Sequence, residues 1–379
     1  MPRLVLALCA IILFFSAAAI AAPRKPTGIG DNYPIIMRST RALGMGNAFT
    51  AMPGTDAFAQ YYNPAAINDY DEERRYDVGA PQTDFTPAFF ELVGDLLDLK
   101  RELHGAATSR DKIDFFDRFT ARNTGDFEQF ITSMPLFHVR QKHYAAGVIA
   151  DARAVISLRN KAFPNFEFKS ACTAGLVGGS ALGFFGDTLQ LGGNLKFLFR
   201  TGIEDQITTG DILNSGIKQL IGWHAWDKGV GGGADLGLKY KLPLFRSSLK
   251  PTVSLVVQDV ADSRFTGSVA KMPMSVTMGA GIFPTIGGND FAFLVDFREI
   301  NQRRNFLTKF HVGMEAKLPR MGTLQFAIRG GCNQGYPAFG LSAAWPFLRL
   351  DFAFYGEEAG QYTSSKADYH TAAQLAFDF

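Results

Sequence analysis

From Met134 onward the chain alternates apolar and polar residues, segment after segment. Leu189, Leu191, Leu195, Phe197 and Phe199 share one parity; Gln190, Asn194, Lys196 and Arg200 share the other. The same rhythm returns at Phe291–Phe297, Phe310–Leu318, Leu324–Ile328 and Leu348–Phe354. A period of two puts successive side chains on opposite faces of a strand. Here one face is almost purely apolar, and the other mixes charge, amide and glycine. Beyond Ala22 there is no run of about eighteen apolar residues, so no helix of this chain is built to cross a bilayer. With 35 phenylalanines and 39 glycines, the chain is either a secreted β-rich protein or a barrel that hides its hydrophobicity in alternation.

The N-terminus points to export. An apolar run from Leu4 to Ala19 follows Arg3, and Ala19-Ile20-Ala21 fits a small-x-small cleavage site. Residues 1–21 are therefore expected to be a signal peptide. The mature chain keeps Cys172 and Cys332, expected as unpaired, apolar-facing thiols, although an oxidising compartment also permits a disulfide. A net charge of +2 without a basic, aromatic-interleaved cluster argues against nucleic acid as a partner.

Three features favour the membrane barrel over a soluble sandwich. Many strands are long enough to span a bilayer when tilted. Counting from Arg74 gives about fourteen, an even number as a closed up-and-down barrel requires. Short turns (Gln141-Lys142, Pro284–Asn289, Pro319–Met321, Trp345-Pro346) gather at one end, and long connections (Pro81–Ser133, Glu204–Gly229, Ala261–Lys271, Gly356–Ala367) at the other. The chain also closes on an alternating segment, Tyr369 to Phe379. Phe377 and the terminal Phe379 are similar to the C-terminal recognition strand of outer-membrane barrels, which the barrel-assembly machinery would read.

Two stretches break the alternation. Arg38 to Ile67 is small-residue-rich and irregular: Gly44 and Gly46 bracket Met45, Met52-Pro53-Gly54 is a turn signal, and Asn63-Pro64 reads as an N-cap and first helical residue before Ala65. Residues 22–70 are expected to form a hatch inside a barrel spanning 71–379. Residues 85–133 carry helical periodicity, with Phe89, Phe90, Val93, Leu96, Leu97 and Leu103 on one stretch and Ile113, Phe115, Phe116, Phe119, Phe127, Phe130 and Ile131 on the next. They read as a two-helix insertion, either a cap packed on itself or an apolar mouth. A short amphipathic helix is expected within 206–223.

The run Arg-Ala-Leu-Gly-Met-Gly-Asn-Ala-Phe-Thr-Ala (Arg41–Ala51) followed by Tyr-Tyr-Asn-Pro-Ala-Ala-Ile (Tyr61–Ile67) resembles the N-terminal signature of the FadL-like outer-membrane proteins. That group includes fatty-acid and aromatic-hydrocarbon channels and the PorV and TraF-type relatives. Arg329–Pro337 and Tyr355–Gly360 are similar to the PorV and TraF-type branch. The resemblance implies an all-β, transmembrane antiparallel barrel of about fourteen strands with an N-terminal lumenal hatch, whose hatch and substrate-path candidates are Gly44, Gly46, Asn63, Pro64 and Ala65. The insertion departs from the fatty-acid channels.

On the alternating register, the inward residues include Lys196, Arg200, Asp235, Lys239, Asp296, Arg298, Lys309, His311, Glu315, Lys317, Arg329, Arg349 and Asp351. Charges lining a water-filled lumen and packing wall against hatch are one reading; an anionic-substrate path is the other. Lys196, Arg200, Asp296, Arg298, Lys309, His311, Arg329 and Asp351 are the lumen-lining candidates. The six histidines lack ligand spacing, so no metal is expected. Gly178-Gly179-Ser180-Ala181-Leu182 lacks the last glycine of a nucleophile elbow and reads as a turn; Gly229–Gly233 opens a strand, not a phosphate-binding helix. No catalytic residue and no cofactor is expected. Two functions are open: passive transport or binding of small hydrophobic molecules such as long-chain fatty acids, or a PorV-type scaffold or shuttle for protein secretion and envelope assembly. The partners implied are outer-membrane lipid, a hydrophobic small molecule, the assembly machinery and an envelope protein.

Overall fold

The computed structural model describes residues 37–79, 81–123, 127–159, 165–208, 226–245, 248–359 and 366–379. The expected signal peptide lies outside them. So does most of the expected 206–223 helix, and Gln206 to Thr208 are the last residues of a strand.

Fourteen antiparallel strands close into a barrel. β1 is built from two pieces laid end to end, Arg75–Val78 and Gln82–Phe85, interrupted between Gly79, at positive φ, and Pro81. Next come β2 (Phe127–Gln141), β3 (Tyr144–Arg159), β4 (Asn165–Phe184), β5 (Leu189–Thr208), β6 (Asp227–Lys241) and β7 (Thr252–Gln258). The circuit continues with β8 (Ser275–Ile282), β9 (Asn289–Phe297), β10 (Phe310–Lys317), β11 (Gln325–Asn333), β12 (Tyr336–Ala344), β13 (Leu348–Glu358) and β14 (Ala367–Asp378). Each pairs with its sequence neighbours. β14 closes the ring on β1 through Asp77↔Asp378 and Phe85↔Thr371. Beyond the ladder, Tyr76 and Phe379 exchange both backbone hydrogen bonds at 2.9 Å, so the last residue is part of the seam.

The alternation seen in the sequence sorts inside from outside. Leu195, Phe197, Phe293, Val312, Met314, Phe339, Leu341 and Phe352 stand on the outer wall and are exposed. Their neighbours Asn194, Asp296, His311, Glu315 and Asp351 point inward and are buried. An apolar belt around a closed wall is the surface a bilayer solvates. Cys172 and Cys332 are both free and half-buried.

Wall height is uneven. β4 and β5 have 20 residues each, whereas β7 has 7. A 20-residue strand is about 66 Å long. Tilted, it stands roughly 50 Å high against a hydrocarbon core of about 30 Å. The tall side therefore rises well beyond a membrane.

The helical insertion packs against this tall side. It comprises α1 (Phe89–Gly105) and α2 (Ser109–Asn123). Thr108 and Asp111 cap α2 reciprocally: the Thr108 amide donates to Asp111 at 2.9 Å, and the Asp111 amide donates to the Thr108 hydroxyl at 3.2 Å. The insertion ends earlier than the sequence suggests. Phe127, Phe130 and Ile131 belong to β2, where Phe130 faces outward and Ile131 inward; the short apolar spacing mimics a helix only until cross-strand partners split the two faces. The buried side of the hairpin (Phe89, Leu92, Leu99, Phe116, Phe119) packs on Phe130, Ile156, Leu158 and Phe168. Those four are outward-facing wall residues. The two helices pack on each other and together cover the outside of the tall wall; the hairpin is not a mouth over the lumen.

Candidate functional site: a lumen filled by residues 37–70

Inside the wall lies the segment that the sequence set apart. It has two single-turn helices, Thr40–Leu43 and Ala59–Tyr62, and a 3-10 stretch from Pro64 to Asp69. The Asn63 side chain accepts from the Ala65 amide at 3.0 Å and donates to the Thr50 carbonyl at 2.8 Å, so the Asn-Pro step caps the 3-10 turn and ties it back to the first half of the segment. Ala42, Met45, Phe49, Met52, Tyr62 and Ile67 form one buried apolar cluster with the wall residues Ala145, Ala181, Ala292 and Leu294.

Glycine on the wall meets glycine and small residues on the segment. A Cβ on Gly44 would stand 2.9 Å from the Gly340 Cα. Gly46 has φ +60°, and a Cβ there would lie 2.5 Å from both the Cys332 and Val312 carbonyl oxygens. Met45 abuts Gly313 and Gly331. On the opposite side Pro64 and Ala65 press on Gly192, while Asn63 and Ala65 meet Gly237. Gly179, which the sequence placed in a turn, is in the middle of β4 and gives room to Gln60 and Ile67. Backbone approaches this close need a missing side chain on one partner. This is why Gly44, Gly46, Asn63, Pro64 and Ala65 form two contact points with the wall.

Polar anchors complete the seating. Arg41 grips Glu315 of β10 with two bonds, 2.8 and 2.7 Å, and reaches Asp56 at 2.9 Å. Arg38 pairs with Asp84 of β1 and Glu357 of β13. The Thr40 amide donates to Gln374 of β14 at 3.2 Å. Asp296 of β9 accepts the Phe49 and Thr50 amides at 2.8 and 3.0 Å and the Thr50 hydroxyl at 2.7 Å. His311 meets the Gly46 carbonyl through Nδ1 at 3.0 Å, and Arg298 donates to the Asn47 carbonyl at 3.1 Å. Asp69 takes Lys239 at 2.5 Å, Lys241 at 2.7 Å and Gln190 at 2.7 Å. Gln60 bridges Asn194 of β5 and His138 of β2, and Gln258 of β7 donates to the Tyr61 carbonyl. Burial opposes charge on Asp69 and on Asp56. The lysines around Asp69, and Arg349 and Arg41 around Asp56, nevertheless hold both carboxyls below the ordinary carboxylate range.

The lumen candidates thus separate. Asp296, Arg298 and His311 bond the segment directly. Arg329 joins Glu315 at 2.7 Å and Asp351 at 2.9 Å, one step behind Arg41. Lys196 spans Asp235 and Asp259 at 2.7 and 2.6 Å, and Arg200 lies over the Phe265 ring at 5.7 Å. Lys309 departs from the expected register role: its ammonium binds the Ile300 and Gln302 carbonyls of the preceding connection. Of the two parts of the expected role, lining water and packing wall against hatch, the geometry is that of packing. Asp296, His311, Glu315, Arg329 and Asp351 are buried and paired, because the segment occupies the space that water would fill. His311 and Glu315 share the inward face, but each is spent on the segment. Among the described residues no group of three or more His, Cys, Asp or Glu could hold a metal. Sequence reasoning did not single out Arg38, Asp56, Gln60 or Asp69 as anchors. Their signal was available: charge and amide inside an otherwise small and apolar stretch.

Near the outer end of the seam, His370 is held between Asp84 at 2.7 Å and Asp368 at 2.9 Å, with Tyr355 stacked on its ring and donating to Asp84. Gln129 of β2 also donates to Asp368, so that the cluster joins four strands, β13, β14, β1 and β2, across the closure. Apolar grooves lie on the outer wall, one floored by Ala280, Gly330 and Cys332 between Phe293, Val312 and Met314.

No protein-family model matches this sequence, and no curated protein matches it. The structure is similar to the CymD monoaromatic hydrocarbon channel, with 12% identity over 91% of this chain and 97% of that one and a TM-score of 0.47. It is also similar to a deltaS2 mutant of the TodX monoaromatic hydrocarbon channel (10% identity, 91% and 98% coverage, TM-score 0.49). The P. putida toluene transporter TodX itself gives 9% identity, 91% and 97% coverage and a TM-score of 0.45.

Proposed function

We propose that this chain is an exported outer-membrane barrel that binds or passively passes small hydrophobic molecules, long-chain fatty acids among them, and that residues 37–70 are its hatch. The observation that carries the reading is the filled lumen inside an apolar-walled barrel. A tube packed with buried side chains is no diffusion pore for polar solutes, while molecules that partition from lipid or into apolar surface need no continuous water path. The substrate path would run past Gly44–Gly46 and Asn63–Ala65, where hatch and wall come closest at glycines. Phe377 and Phe379 would serve the barrel-assembly machinery as the closing strand. The test is uptake of long-chain fatty acids and of aromatic hydrocarbons by a deletion strain, with and without the restored gene, beside mass spectrometry of purified protein. Loss of uptake on deletion, or a co-purified apolar ligand, is expected; unchanged uptake with no bound lipid overturns it.

A second reading has its own observation. The segment is tied to β1, β2, β5, β6, β7, β9, β10, β13 and β14, which is the anchoring of a core and not of a hinged door. That supports a non-transporting, PorV-type barrel that holds an envelope or secreted protein on its outer loops. Crosslinking at native expression distinguishes them: a reproducible partner together with unchanged uptake favours the scaffold.

A further inference from the structure

The apolar stripe of α1 is wider than the wall it covers. Phe89, Leu92 and Leu99 are spent against the wall and α2, yet Phe90 and Leu97 remain 55% and 56% exposed. Positions 90, 94, 97 and 101 fall on one helical stripe. Gly94 leaves open space between the two large side chains, and Arg101 ends the stripe with a side chain 81% exposed. On α2, Ile113 is also exposed. Phe90 is not adrift: its ring meets Phe85 edge-on at 5.1 Å, and Phe85 is an outward-facing residue of β1, cross-strand from Phe130. The leftover stripe is therefore continuous with the apolar outer wall.

We infer that the α1–α2 hairpin is an interfacial membrane anchor: Phe90 and Leu97 enter the outer leaflet beside the wall, and Arg101 sits at the depth of the lipid phosphates. The inference rests on the membrane reading of the barrel. Its chemistry is that of a helix lying in the interface, with aromatic and aliphatic residues in the acyl boundary and a long cationic side chain reaching back to the headgroups. A lipid occupant matches the continuity with the outer wall; a soluble ligand would need a closed pocket, and the stripe is open along its length. Asp98, on the neighbouring stripe, pairs with Arg101 at 3.0 Å and marks the watery side.

Site-directed spin labelling tests it. Single cysteines replace Phe90, Leu97, Asp98 and Leu341 in a full-length chain carrying Cys9→Ala, Cys172→Ser and Cys332→Ala, reconstituted in phosphatidylethanolamine–phosphatidylglycerol vesicles. Collision rates with oxygen and with a water-soluble nickel chelate are compared. The expected result is that labels at 90 and 97 favour oxygen several-fold over the label at 98, approaching the wall control at 341. If 90 and 97 match 98 while 341 stays lipid-like, the anchor is refuted and the barrel reading stands. If 90 and 97 are shielded from both reagents, a protein or the hairpin itself covers the stripe, and the lipid assignment is refuted. A label at 341 that favours the chelate overturns the membrane reading and the anchor together.

Discussion

At the scale of single residues, seating depends on groups that have no slack. Gly46 combines φ +60° with two backbone carbonyls in the place of a side chain. Gly46→Val would incur about 1–2 kcal/mol for the left-handed torsion and a further ~1–3 kcal/mol for overpacking. Its heat-modifiability midpoint on gels should fall well below that of wild type. Arg41 is the buried cation that Glu315 and Asp56 share. Arg41→Ala leaves Asp56 with Arg349 at 3.8 Å and Glu315 with Arg329, and should cost roughly 3–5 kcal/mol, as breaking a buried pair does. Urea titration followed by tyrosine fluorescence measures it. Asp69 and Asp56 also set a pH dependence. Their folded carboxyls titrate below the unfolded ones, so their contribution is present above the unfolded value of about 4 and is lost as pH falls toward the folded values. The barrel should therefore lose stability on acidification below about pH 4, and Asp69→Asn should flatten that loss. An acid limb of equal depth in wild type and Asp69→Asn would show that other carboxyls carry it.

At the scale of elements, the helical hairpin is explained by the strands beneath it. β2 to β5 overrun the membrane, and their alternation continues upward, so Ile156, Leu158 and Phe168 would meet water without a cover. Replacing residues 88–124 with a short glycine–serine linker should leave the wall paired but expose this patch. The variant should insert and yet bind a hydrophobic dye and self-associate in detergent, as measured by light scattering; a monodisperse, dye-silent variant would show that the hairpin covers nothing of consequence. The helices themselves were legible in the sequence from their 3.6-residue rhythm and the Thr108–Asp111 cap. The boundary at Phe127 was not, since three apolar residues at short spacing satisfy both periods until a partner strand assigns them to faces. For the same reason Gly179 read as a turn. A glycine run in a strand becomes meaningful only when Gln60 and Ile67 arrive against it.

At the scale of the whole molecule, removing Gly44 to Ala65 should convert a silent barrel into a leaky one, read as single-channel conductance in planar bilayers and as uptake of small polar solutes. Unchanged conductance would mean that those residues do not close the lumen. The amino-acid order alone determined the wall: period two, strand length, loop asymmetry and an alternating C-terminal strand are local properties, and their sum specifies fourteen antiparallel strands with an apolar outside. It also marked Gly44–Gly46 and Asn63–Ala65 as unlike the wall. Tertiary structure decided what fills the inside. Whether Asp296, His311 and Glu315 line water or hold a buried segment depends on the separation of groups some 250 residues apart, and no local pattern encodes that distance. Closure brings Phe49 to Asp296 and Arg41 to Glu315; once they meet, desolvation makes each pairing obligatory, and the lumen becomes a core.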